Sequence, residues 1–79
     1  MDRKIKIIWE FSGPDAEKTA KHHQIHLEEF GEREKLTCAI GGTEYMNHLM
    51  WMAYIIVLEK DAVLVRDALK PLRAEIFED

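Results

Sequence analysis

The sequence predicts an α+β domain of four strands and two helices in the order β-α-β-β-α-β. Three observations predict it. Residues alternate between two faces from Lys4 to Phe11, and an apolar stripe of helical period runs from Ala16 to Phe30. The third is the run Leu49–Glu59, which is apolar at every position but its last.

Length and composition bound the rest. Seventy-nine residues make a single domain, 1–79, with no room for a second. A chain this short buries only roughly 60–65% of the surface its unfolded form exposes, so an apolar partner surface adds useful stability. With 47% apolar and 33% charged residues, the chain belongs with folded globular proteins rather than disordered ones. The 11 basic and 15 acidic residues give a net charge of −4, and the Lys and Arg are scattered. Nucleic acid and anionic membranes both need clustered cations, so neither is an expected partner. Cys38 is the single cysteine, which excludes an internal disulfide and suits a reducing compartment. The N-terminal residues lack the pattern of a secretory signal. The Leu49–Glu59 run is also shorter than the roughly 20 residues of a membrane-spanning helix. The cytoplasm is therefore the expected location.

Taken in order, Ile5, Ile7, Trp9 and Phe11 point one way, and Lys4, Lys6, Ile8 and Glu10 the other, as in a half-buried strand. Ser12-Gly13-Pro14-Asp15 reads as a helix start, with Ser12 as cap, Asp15 closing a capping box and Pro14 in the first turn. Ala16, Ala20, His23, Leu27 and Phe30 follow at helical spacing, with charges on the opposite face and Ile25 expected to be exposed. The helix is expected to end between Gly31 and Lys35. Leu36–Met46 reads as an irregular edge strand in which Gly41-Gly42 marks a bulge or turn. Asn47-His48 is the expected hairpin turn into the Leu49–Glu59 strand. Lys60-Asp61 stops that strand, Asp61 caps a second helix reaching about Leu69, and Pro71 prevents its continuation while pushing Lys70 toward extended geometry. Leu72, Ala74 and Ile76 then alternate with Arg73, Glu75 and Phe77 as a short last strand, a kinked helical continuation being the alternative.

Over nearly the whole chain this pattern resembles the ferredoxin-like βαββαβ sandwich: an antiparallel four-stranded sheet with two helices on one face. Right-handed crossovers then put the first and third strands in the centre. The resemblance is one of pattern, not motif. RNA-recognition modules carry paired aromatics on the open face of the central strands, where this chain has Lys4, Lys6, Ile8 and Glu10. Heavy-metal-associated domains carry Cys-x-x-Cys in the first loop, where this chain has Ser12-Gly13-Pro14-Asp15.

Candidate chemistry is thin. His22 and His26 stand four apart with Glu29 three further on, so all three share a helix face. His-x-x-x-His suits zinc or nickel, but a solvated flank is the plainer reading. His23, in the apolar stripe, reads as a core or interface histidine with one hydrogen-bond partner and a lowered pKa. Met46, His48, Met50 and Met52 recur at every second position, a soft ligand set that suits Cu(I), against the commoner role of methionine as a filler of apolar interfaces. Cys38 has no identifiable base and orienting residue, and no glycine-rich phosphate loop exists. No catalytic residue, cofactor or metal is assigned.

Function is read from the central apolar run. Both of its alternation sets are apolar, whereas the first strand has one polar face. Helices on one side leave one of the two columns facing outward, and alternation alone leaves open which; the expected one is Met50, Met52, Tyr54, Ile56 and Leu58, joined by Ile8 and Phe77. Lys4, Lys6, Glu10, Arg73 and Glu75 are expected to rim it. A contiguous apolar patch marks an interface, so the expectation is a non-catalytic module that forms a homodimer or binds another protein there. The alternative is a small-molecule-binding protein or enzyme with an apolar pocket at the dimer interface, His23 or His48 supplying polarity.

Overall fold

The structure is a computed structural model that describes residues 3–77. Four strands, β1 (Lys4–Ser12), β2 (Ala39–Asn47), β3 (Met50–Leu58) and β4 (Arg73–Phe77), form one sheet, and the helices are α1 (Ala16–Arg33) and α2 (Glu59–Leu69). The strand order is β2-β3-β1-β4, and every neighbouring pair is antiparallel. This is the ferredoxin-like α+β topology. After Pro71 the chain forms a strand, Arg73–Phe77, rather than a kinked continuation of α2; residue 78 of the expected 72–78 segment lies outside the described residues.

The alternation in β1 settles which face is which. Ile5, Ile7, Trp9 and, at the margin, Phe11 meet Ala53, Ile55, Val57 and Trp51 of β3, with Ala20, Leu27 and Phe30 of α1 above them. Val65 is the single buried residue of α2. Ile7, Leu27, Ile55, Val57 and Val65 are essentially inaccessible, and full burial of each such side chain contributes about 1.5–3 kcal/mol. The core thus sits between α1 and the two central strands. The indole of Trp9 donates to the Leu69 carbonyl at 3.1 Å, tying the end of α2 to β1.

Several local expectations shift. The Ser12/Asp15 capping box does not form: β1 runs through Ser12, and Asp15 is the N-cap without a side-chain hydrogen bond. Gly13 takes φ 105° and donates its N–H to the Leu49 carbonyl at 2.8 Å, so the chain turns where only glycine is comfortable. α1 closes with Lys35 N–H on the Glu32 carbonyl and Leu36 N–H on the Gly31 carbonyl, a Schellman arrangement with Lys35 left-handed at φ 55°.

The β2–β3 hairpin turns at His48-Leu49 rather than Asn47-His48. Asn47 Oδ1 accepts the Leu49 N–H at 2.9 Å, and a register shift between Tyr45 and Asn47 takes up the extra residue. The irregularity lies there and not at Gly41-Gly42. α2 begins at Glu59, directly after Leu58, because the Glu59 N–H is taken by the Arg3 carbonyl at 2.7 Å. Asp61 is therefore not the cap but a first-turn residue. Lys70 caps α2 in left-handed geometry, φ 46°, instead of the extended form expected before Pro71.

Candidate functional site

The register brings all the residues of the outward column to one face. Ile8 lies beside Tyr54 and Arg73, Met52 beside Glu10 and Glu44, and Ile56 beside Lys6 and Ile40. Met50 and Leu58 close the two ends of the β3 column, and Phe77 pairs with Lys4 at the β4 edge. Among the described residues no helix covers this side. The patch is nevertheless not bare: Ile8 is fully buried, and Met52 and Ile56 are 5% exposed. Met50, Tyr54, Leu58 and Phe77 are half-buried.

The cover comes from the charged side chains expected to form a rim. Lys6 lies over the Tyr54 ring, its Nζ 4.5 Å from the centroid, and reaches Glu44 at 3.6 Å. Arg73 donates to Glu10, approaches Glu75 at 3.6 Å, and sets Nη2 3.6 Å from the Met52 sulfur. The hydrogen bond from Arg73 to Glu10 raises the guanidinium pKa above its ordinary value. The Lys6 and Glu10 side chains are only 19% and 20% exposed, so their aliphatic stems lie on the sheet. Lys6, Glu10 and Arg73 are thus a lid over the centre rather than a rim around it. Hydropathy assigns such residues to water and carries no signal that their stems will roof a neighbouring column.

Tyr54 adds to this roof. Its ring crosses β2 above Gly42, its register partner, so that a Cβ on residue 42 would overlap the phenol. An aromatic ring over a cross-strand glycine restores the apolar cover that the glycine lacks.

The histidines separate into three settings. His22 and His26 bring their Nε2 atoms to 2.9 Å, and His26 Nδ1 lies 3.2 Å from Glu29 Oε1; all three side chains are exposed. His23 is half-buried, edge-on to Trp9 at 4.9 Å and to Phe11 at 5.3 Å. Its Nε2 is buried with no hydrogen-bond partner among the described residues, in place of the one partner expected. Burial lowers its pKa, with the neighbouring His26 and His22 acting in the same direction. His48 stands exposed in the hairpin turn. Because the chain reverses there, Met46 and His48 do not continue the column of Met50 and Met52 as an unbroken strand would, and the Cu(I) row is not assembled. Among the described residues, no three His, Cys, Asp or Glu side chains are grouped to hold a metal ion. Cys38 donates to the Ile56 carbonyl, with Sγ at 3.6 Å, and makes no histidine pair.

One feature escaped the sequence reading. α2 and β4 leave a cavity of about 150 Å³ lined by Ile7, Ala62, Val63, Arg66, Pro71 and Ala74. Ligand pockets typically enclose about 300–1,000 Å³, so this one within a single copy is too small for a cofactor or an ordinary metabolite. The short side chains Ala62 and Ala74 were the available signal. The described residues contain no helix long and apolar enough to cross a membrane.

Comparison of the chain with protein-family models, with curated proteins and with solved structures found no match. The fold class is thus established by topology, and function rests on the residues themselves.

Proposed function

We propose that the protein is a small non-catalytic interaction module that pairs with a second copy of itself across the open face of the sheet. The observation that carries this is the composition of that face. An isologous interface presents one surface to itself and must be self-complementary. Although the chain carries a net charge of −4, the open face holds three cations, Lys4, Lys6 and Arg73, and three anions, Glu10, Glu44 and Glu75. A two-fold copy can set an acid against each base while the half-buried Met50, Tyr54, Leu58 and Phe77 supply apolar contact.

The size of the face fixes the strength. Three strands have nine residues and β4 has five; at about 3.3 Å per residue and 4.8 Å per strand each copy contributes on the order of 500 Å². A total of about 1,000 Å² sits at the lower edge of specific interfaces, which makes the pair weak and concentration-dependent. A cytoplasmic setting belongs to the same proposal, supported by the free thiol of Cys38.

Sedimentation equilibrium across micromolar to millimolar chain tests it. The wild type is expected to shift toward dimer over that range, and Tyr54→Glu to remain monomeric with its circular dichroism unchanged. A wild type that stays monomeric throughout removes self-association. If Tyr54→Glu folds and still dimerises, the interface lies elsewhere.

A further inference from the structure

We propose that His22 and His26 form a chelate site for a divalent transition-metal ion, with cupric copper preferred. The site is on the solvent side of α1, remote from the open sheet face, and is independent of the self-association proposal.

Three observations carry it. The two Nε2 atoms, one helical turn apart, converge to 2.9 Å. Both rings are exposed and can open from this spacing to span one ion. Imidazole nitrogens suit copper, nickel and zinc, and at a given site the affinity for copper exceeds that for the other two.

The second observation is Glu29. Its Oε1 lies 3.2 Å from His26 Nδ1, which places a carboxylate beside the ring whose Nε2 faces His22. Metal-binding histidines commonly donate their second ring nitrogen to such a carboxylate, which orients the ring and raises its basicity. In the metal-free protein one of the two Nε2 atoms donates its hydrogen to the other, and a metal ion takes the place of that proton, which moves to the other nitrogen of the same ring or to solvent.

The third is access. A shallow open hollow lined by Asp15, Lys18, Thr19 and His22 adjoins the pair, and both rings are exposed. Two protein ligands leave the remaining coordination positions to water or to a donor from outside the chain.

Titration calorimetry of chelator-stripped full-length protein with Cu²⁺, Ni²⁺ or Zn²⁺ tests the proposal, paired with electron paramagnetic resonance of the cupric form. The expected result is one ion per chain, cupric affinity above that for Ni²⁺ or Zn²⁺, and a spectrum with two imidazole nitrogens. His22→Gln and His26→Gln, both exposed helix positions, each lower cupric affinity by more than about tenfold, and Glu29→Gln by about tenfold. His48→Gln leaves it unchanged. Cupric affinity equal in wild type and the His22→Gln/His26→Gln double variant overturns the site, as does the absence of binding at millimolar copper. Tighter binding of nickel or zinc than of copper overturns the preference.

Discussion

The phenol of Tyr54 lies across Gly42, its partner in the neighbouring strand, and fills the space that a side chain at position 42 would need. The same ring carries Lys6 on its outer surface. Gly42, Tyr54 and Lys6 are therefore stacked layers of one local structure, and the glycine is its floor.

A methyl group at position 42 would meet the free end of a side chain, which can swing away. Gly42→Ala is expected to lift the ring and to cost about 1 kcal/mol, because overpacking outweighs the conformational gain. In a Tyr54→Ala background the same change should stabilise by about 0.5–1 kcal/mol, since only the entropy gain remains. Urea denaturation of the four proteins gives the coupling; equal effects of Gly42→Ala in both backgrounds would contradict the stacking.

Gly31 differs because its neighbour cannot move. A Cβ there would stand 2.6 Å from Ala39 Cβ, an atom fixed to the β2 backbone. Alanine gains about 1 kcal/mol over glycine within a helix. Separating α1 from β2 costs about 1–3 kcal/mol, so Gly31→Ala is expected to destabilise on balance. Adding Ala39→Gly should restore stability. A Gly31→Ala protein with a raised melting temperature would show that the helix has room to withdraw.

His23 makes stability depend on acidity. Its folded pKa lies below the ordinary histidine value because burial penalises the charged ring. The surrounding groups are the Trp9 and Phe11 rings from β1 and the imidazoles of His22 and His26 on its own helix. Glu10 alternates to the opposite side of the sheet and offers no counter-charge. The unfolded chain thus binds the proton more readily than the folded one. The contribution is present above about pH 6.5 and is lost as pH falls through the folded pKa. Denaturation between pH 8 and 5 with a chelator present is expected to show this loss, and His23→Phe to flatten it. A wild-type stability that is level or rises on acidification contradicts the burial assigned to the neutral ring.

Much of this architecture was legible in the chain. Alternation placed Ile5, Ile7 and Trp9 on the helix side, and helical spacing placed Ala20, Leu27 and Phe30 above them, because both patterns record the water–core boundary directly. Pattern alone left both faces of β3 equivalent; its register against β1 separated Ile55 from Ile56. Local punctuation was harder to read. Ser12 and Asp61 carry capping chemistry, yet backbone hydrogen bonds from Gly13 to Leu49 and from Glu59 to Arg3 fix where those helices begin. Such bonds join residues far apart in the chain and leave no trace in composition. The roofing of Met52 by Arg73 is of the same kind, since it depends on where a long side chain lies down.

The two helices are unequal supports. α1 buries five residues and α2 only Val65, while Val63 and Ile76 stay more than half exposed at the gap between α2 and β4. Cooperative opening follows the distribution of buried apolar contact. Amide protons of α2 and β4 should therefore exchange with solvent through a partial opening that leaves α1, β1 and β3 intact, with the Trp9–Leu69 hydrogen bond as its latch.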